Sequence, residues 1–329
     1  MILSTPALFA LVTFSFLIFY LVPVDPAVAW AGPFADGATI EAVRERFHLN
    51  DPVHIQYFEY LTRLIQGDLG RSPITGHPVL QDLAIYFPLT MELVLFSTVL
   101  SVTFGLFLGI VSALKRNKVQ DHVARVFALF GTASPRFWTA LLAQIFFYSY
   151  LGLFPAIGIA QPGTDIPRVT GMPVFDSLIT LNFPALYDTF HHLLIPASVL
   201  ALPQISILSR LVRGSVLEVL GQDYVRTARA KGLPNRLIVY KHVLRNALLP
   251  VTTQIGMMIG WQLGGSVIVE TIFSRAGMGS YVATAALEGF DIPALAGVTL
   301  VMGSIFIIAN LIVDILYASI DPRIKVGAK

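Results

Sequence analysis

The chain has 329 residues, of which 55% are hydrophobic and 13% charged, and it includes 23 phenylalanines. A soluble core of this size does not bury so much apolar surface, which excludes a water-soluble fold and makes the bilayer the natural solvent. The absence of cysteine excludes disulfides and thiolate metal sites, and the net charge of +2 matters less than where the charges fall.

A helix crosses about 30 Å of hydrocarbon with about 20 apolar residues, its backbone groups satisfied internally. Six stretches qualify, approximately Ile2 to Val24, Met91 to Leu114, Pro135 to Pro155, Leu193 to Val212, Ala247 to Thr271 and Leu295 to Tyr317. The expected fold is an all-α integral membrane protein, with residues 1–329 forming one transmembrane domain. The first stretch has neither the basic start nor the small-residue cleavage pattern of a signal peptide and is read as a retained span.

Cytoplasmic loops collect Lys and Arg, and this bias sets topology. Lys115, Arg116, Lys118 and Arg125 follow the second stretch, Arg213, Arg226, Arg229, Lys231, Arg236, Lys241 and Arg245 the fourth, and Arg323, Lys325 and Lys329 the sixth. The other connections are richer in Asp and Glu. Both termini are therefore expected inside, residues 25–90 form an external region and residues 213–246 a cytoplasmic loop. Residues 1–6 carry no base, so either the later loops set the orientation or the natural start lies upstream. Within the external region, helices are expected around Ile40 to Phe47 and His54 to Leu64.

The stretch DYVRTARAKGLPNRLIVYKHVLRNALLP, Asp223 to Pro250, is the most basic in the chain. Asp223 to Lys231 reads as a short helix with Asp223 as N-cap, Arg229 and Lys231 at the negative end, Gly232 at the stop and Pro234 beyond it. Ala228 and Ala230 leave room for another surface to approach, and Tyr224 shares the side of Ala228 as an anchor. Three readings fit the segment: a topology signal that also touches anionic lipid, a helix-turn-helix on nucleic acid, or a docking site for a cytoplasmic protein.

The order of residues favours the last. The run RTARAKG followed by LRNALLP resembles the EAA signature of permease subunits of ABC importers, with Ala228 and Gly232 at its Ala-x-x-x-Gly spacing and Leu249-Pro250 as its closing pair. Arg226 stands where the generic motif has Glu, and the interval to Pro250 is longer, both as in the dipeptide, oligopeptide and nickel branch. GDLGRS at Gly67 to Ser72, LGIVSALKRN at Leu108 to Asn117, ASPRFW at Ala133 to Trp138, ETIFSRAGMG at Glu270 to Gly279 and NLIVDILYASIDPRI at Asn310 to Ile324 are similar to the first permease subunit of that branch. Arg275-Ala276 replaces its usual Trp-Pro, so external gating detail is not carried over at that turn.

The resemblance implies a type I importer permease in a prokaryotic inner membrane, with a second homologous permease, two cytoplasmic ATPases that bind ATP and Mg, and an external substrate-binding protein. Asp223, Tyr224, Arg226, Ala228, Arg229, Gly232, Leu249 and Pro250 become the ATPase-coupling residues. Di- or oligopeptides are the first expectation for cargo, with nickel chelates or oligosaccharides as alternatives from the same family. An ion-coupled secondary transporter is the rival from another class; it calls for repeated halves and midspan ionisable residues, and neither is evident. No Gly-Lys pair occurs, so no phosphate-binding loop of the P-loop kind exists, and no His-Glu-x-x-His zinc motif is found. The chain is expected to bind no cofactor, metal or nucleic acid and to be no enzyme.

In the fifth stretch, Gly256, Gly260 and Gly264 form a double Gly-x-x-x-Gly, flanked by Gln254 and Gln262, and the second stretch carries Gly105 and Gly109. Such glycines serve close helix packing or leave room along a translocation path. Pro196 and Pro203 are expected to bend the fourth stretch, and Asp314 to pair with Arg323 or meet the headgroups.

Overall fold

The computed structural model describes residues 4–21, 25–32, 34–287 and 291–320. The helices are, in order, α1 (Ser4–Leu21), α2 (Pro26–Ala31), α3 (Gly37–Arg46), α4 (Val53–Ile65), α5 (Val79–Leu114), α6 (Val119–Ala133), α7 (Arg136–Ala143), α8 (Pro173–Ile179) and α9 (Phe183–Leu220). After these come α10 (Asp223–Ala230), α11 (Asn235–Leu237), α12 (Arg245–Ala247), α13 (Leu249–Ile272), α14 (Met278–Leu287) and α15 (Ile292–Ile320), and two π-helical stretches extend α7 over Gln144–Tyr150 and link α11 to α12 over Ile238–Leu244. Among the described residues the only β pairing is an isolated bridge between Arg71 and Pro78.

The long helices α5 and α9 pack against each other along their length and form the centre of the fold. Glycine sets their spacing. A Cβ on Gly105 would lie 2.8 Å from a Leu208 methyl carbon, and one on Gly109 would lie 2.6 Å from the Val212 Cβ and 2.7 Å from the Ser209 carbonyl. Of the two readings of this glycine pair, close helix packing is the one the geometry meets. Leu93, Leu200, Leu263 and Val269 join α5, α9 and α13 in one apolar cluster. Ala113, Val212, Val216, Val243 and Val251 build a second one near the basic segment.

Among the described residues, four helices are long and apolar enough to cross a membrane: α5, α9, α13 and α15 over Ile292–Ile312. A fifth crossing arises if α6 and the Arg136–Tyr150 stretch are one span bent by 110°. The break falls at Ser134-Pro135, where proline removes a backbone donor and restricts the residue before it. Residues 119–133, read in the sequence as part of an inside loop, are thus helical, and the third stretch loses its helix at Tyr150 instead of reaching Pro155. The second and fourth stretches extend to 36 and 38 residues, because amphipathic turns with polar residues continue them beyond the hydrocarbon-length runs that hydropathy detects. Helix α9 continues without a break through Pro196 and Pro203. The expected pairing of Asp314 with Arg323 falls outside the described side chains.

The segment before α5 is folded, with α3 and α4 close to the two expected helices. Asp36 starts α3 by accepting the Thr39 N–H at 2.9 Å, the carboxylate capping a first turn that otherwise leaves its donors unpaired.

Candidate functional site

The basic segment is built as a stack of short helices on the end of α9 rather than as a loop. Helix α10 spans eight residues, too few to persist alone in water. It is held by burial on one face. Val225 and Ala228, three residues apart and so on the same side, lie in the cluster with Val216, Ile238, Val243 and Ala247. The Tyr224 hydroxyl accepts the Asn246 amide at 2.9 Å, fastening α10 to the turn before α13.

The stop is a Schellman turn: Gly232 N–H donates to the Arg229 carbonyl at 2.9 Å and Leu233 N–H to the Ala228 carbonyl at 3.3 Å. Gly232 sits at φ +76°, the left-handed backbone expected of it. Gly232→Val is therefore expected to cost about 1–2 kcal/mol locally, seen as faster amide exchange over residues 223–233 with unchanged protection in α9 and α13. Equal exchange in both forms would show that this turn does not hold α10.

Two sequence expectations are corrected here. Gln222, in extended backbone, occupies the N-cap position and Asp223 is the first helical residue, so its charge acts on the helix dipole instead of closing the first turn by a side-chain hydrogen bond. Ala228 faces its own chain and is 7% exposed, so it does not offer the space for a partner that its small size suggests. The exposed side carries Tyr224, Arg226, Arg229, Lys231, Arg236 and Tyr240. Of these, Arg226 makes only a long ion pair to Asp223, at 3.5 Å in solvent.

The base of this stack is fixed by a residue that the sequence analysis missed. Asp121 of α6 is fully buried and takes the Arg213 guanidinium of α9 through Nε at 2.8 Å and Nη2 at 3.0 Å. It also accepts the Ser112 hydroxyl at 2.6 Å and the Asn117 N–H at 2.9 Å. A two-pronged guanidinium pair is directional, so the ends of α5, α6 and α9 are locked together. The signal was a lone acid in the basic run KRNKVQDHVAR.

A second polar cluster lies toward the other end. Glu92 of α5 accepts Arg275 Nη2 at 2.8 Å and the Val174 N–H of α8 at 2.6 Å. Arg275 is fully buried, and its Nε and Nη1 find no partner among the described residues. Burial pushes its pKa down, against the pull of Glu92 and Glu270. Glu270, at the end of α13, accepts the Thr90 hydroxyl at 2.7 Å and the Gly279 N–H at 2.7 Å, so it closes the start of α14. Three carboxylate and guanidinium groups thus tie α5, α8, α13 and α14 into one unit. Glu92 and Ser112 are 20 positions apart on one continuous helix. At 1.5 Å each this is about 30 Å, the thickness of the hydrocarbon layer. A layer of that thickness fits between the two clusters.

Residues 105–326 match the family described as binding-protein-dependent transport system inner membrane component, and residues 2–94 match the corresponding N-terminal family. The chain belongs to this permease family. Its relatives include the probable D,D-dipeptide transport system permease protein DdpB of Escherichia coli K12, 40% identical, with 95% of this chain and 92% of that protein covered. The dipeptide transport system permease protein DppB of Alkalihalophilus pseudofirmus is 39% identical over 99% of this chain and 97% of its own, and the oligopeptide transport system permease protein AppB of Bacillus subtilis 36% identical over 98% and 97%. Among solved structures, an inward-facing MetNI methionine ABC transporter aligns with TM-score 0.54 over 71% of this chain and 93% of that chain. At 14% identity it shows the shared fold alone.

In the permease, the five α13 residues singled out in the sequence separate. Gln262 is buried against α5, where the Thr98 hydroxyl donates to it at 3.3 Å, and Gly260 receives the Phe306 ring of α15, which a Cβ would meet at 1.9 Å. Gly256 is also buried, and Gln254 half-buried. Gly264 alone has open space over it, in an exposed stripe with Met257, Trp261 and Ile268. Leu249 and Pro250 open α13, where a proline in the first turn removes a donor that the helix leaves unpaired in any case.

Proposed function

We propose that this permease is one of two homologous membrane subunits of an ATP-driven importer of di- or oligopeptides. In this reading α1, α5, the bent α6–α7 pair, α9, α13 and α15 are six spans with both termini in the cytoplasm. Residues 25–90 face an external binding protein, and residues 213–246 seat one of two ATPases that carry ATP and Mg. The stroke reaches the spans through α10, Asp121–Arg213 and the start of α13. The Met257, Trp261, Gly264 and Ile268 stripe, which nothing among the described residues covers, faces the path or the second permease.

The observation that carries the reading is the exposed cationic and aromatic side of α10 on an internally buried platform, in a chain whose near full-length relatives are named as dipeptide and oligopeptide permeases. The absence of a phosphate-binding loop leaves hydrolysis to partner chains. Uptake of a radiolabelled dipeptide, in cells that depend on this chain for it, is expected to need both the external binding protein and ATP and to be competed by unlabelled peptides. Uptake that resists peptides but yields to a nickel chelate or an oligosaccharide would favour the alternative cargoes. Uptake that survives ATP depletion but collapses with the ion gradient would overturn the importer reading.

A further inference from the structure

A cavity of about 360 Å³ lies between the folded segment before α5 and the first turns of α15, away from the coupling stack. Its floor includes Phe16 of α1 and Leu300 of α15, both buried. Its wall includes Trp30, edge-on to Phe47 with ring centroids 4.9 Å apart. The Trp30 Nε1 donor is buried and finds no acceptor among the described residues, an arrangement that costs free energy unless something in the cavity accepts it.

Three guanidinium groups line the same space, Arg46, Arg63 and Arg71. Arg63 is neutralised by Glu59 at 3.0 Å, and Asp68, the other acid in the lining, accepts the Gly70 N–H at 2.9 Å. Arg46 lies over the Phe47 ring at 5.6 Å, and neither it nor Arg71 has an ion-pair partner among the described residues. Two unpaired cations, an orphaned indole donor and an apolar floor on two membrane helices match one chemistry, an anionic headgroup on an apolar stem.

We propose that this cavity binds the headgroup and glycerol region of an anionic phospholipid, with the acyl chains running down α1 and α15. The size is in the range of small-ligand sites and takes a headgroup but not a whole lipid. Under the orientation proposed above this is an outer-leaflet site. If the orientation were reversed the same cavity would meet the inner leaflet, so lipid binding and topology are separable.

The test uses the full chain with its partner permease in nanodiscs of phosphatidylcholine containing a minor fraction of phosphatidylglycerol, with retained lipid counted by native mass spectrometry. The expected result is preferential retention of phosphatidylglycerol, reduced about fivefold for each guanidinium lost in Arg46→Gln and Arg71→Gln. Val43→Trp, which narrows the cavity from α3 without removing a cation, is expected to abolish retention as well. Equal retention of the two lipids would overturn the proposal. So would a preference lost in the arginine variants but intact in Val43→Trp, which marks surface attraction. Displacement of the lipid by glycerophosphate or by an acidic dipeptide at millimolar concentration would assign the cavity to a soluble anion and equally defeat it.

Discussion

Arg275→Met will strip stability from the end of the permease that carries α8 and α14, with a loss of about 3–5 kcal/mol, because it leaves Glu92 buried without its counter-charge. Val174 N–H remains bonded to Glu92, but one backbone donor does not replace a guanidinium. The measurement is the thermal midpoint of the purified subunit pair, together with thiol accessibility of a cysteine placed on α14. Arg275→Met combined with Glu92→Gln should recover most of the loss, since the neutral amide still accepts from α8 and Glu270 keeps the Thr90 hydroxyl and the Gly279 N–H as its donors. If the single variant were as stable as the parent, the ion pair would not be what joins these elements. If the double variant were no better than the single, the cost would lie in packing around Arg275 and not in charge.

Ala228→Trp is expected to have the largest effect on coupling. The ring would enter the cluster shared with Val216, Val225, Val243 and Ala247, where overpacking costs about 1–3 kcal/mol. An eight-residue helix cannot absorb that strain and keep its seat, so α10 lifts and the docking surface is lost. The corresponding fall in ATPase affinity is roughly 5- to 150-fold. Membrane abundance and pairing with the second permease should stay normal, because α10 lies outside every span. Arg229→Ala, on the exposed side, should weaken docking while leaving amide exchange in α10 unchanged. That contrast separates a damaged platform from a lost contact. Full ATPase association and uptake in Ala228→Trp would return the basic segment to a topology signal.

Much of this was legible in the sequence because local rules act within one turn. Gly232 followed by Pro234 announced the Schellman stop, and the density of Lys and Arg marked out the segment that folds as the stack. The facing of α10 was less legible, since a small residue looks the same whether it admits a partner or its own chain. The clue was Val225, three residues before Ala228, which sets the buried side, turns Arg226 away from it and leaves Arg229 at its exposed flank. Pairings distant in sequence left no local trace. Glu92 and Arg275 are 183 positions apart, and only folding brings the acid of one apolar stretch to the base beyond another. Gln262 was undecided for the same reason: a polar side chain in an apolar helix fits a path or a buried hydrogen bond equally well, and here it accepts from Thr98.

The central claim is that the exposed side of α10 receives a cytoplasmic ATPase. Because the chain has no cysteine, single cysteines report without background. With a short reagent that takes a thiol at one end and inserts photochemically at the other, in membranes holding the assembled transporter, Arg229→Cys should yield an adduct with the ATPase. Val225→Cys, buried under α10, and Asp51→Cys, between α3 and α4, should yield none. An ATPase adduct from Asp51→Cys with none from Arg229→Cys, or labelling of Arg229→Cys by an impermeant reagent added to intact cells, would contradict the account.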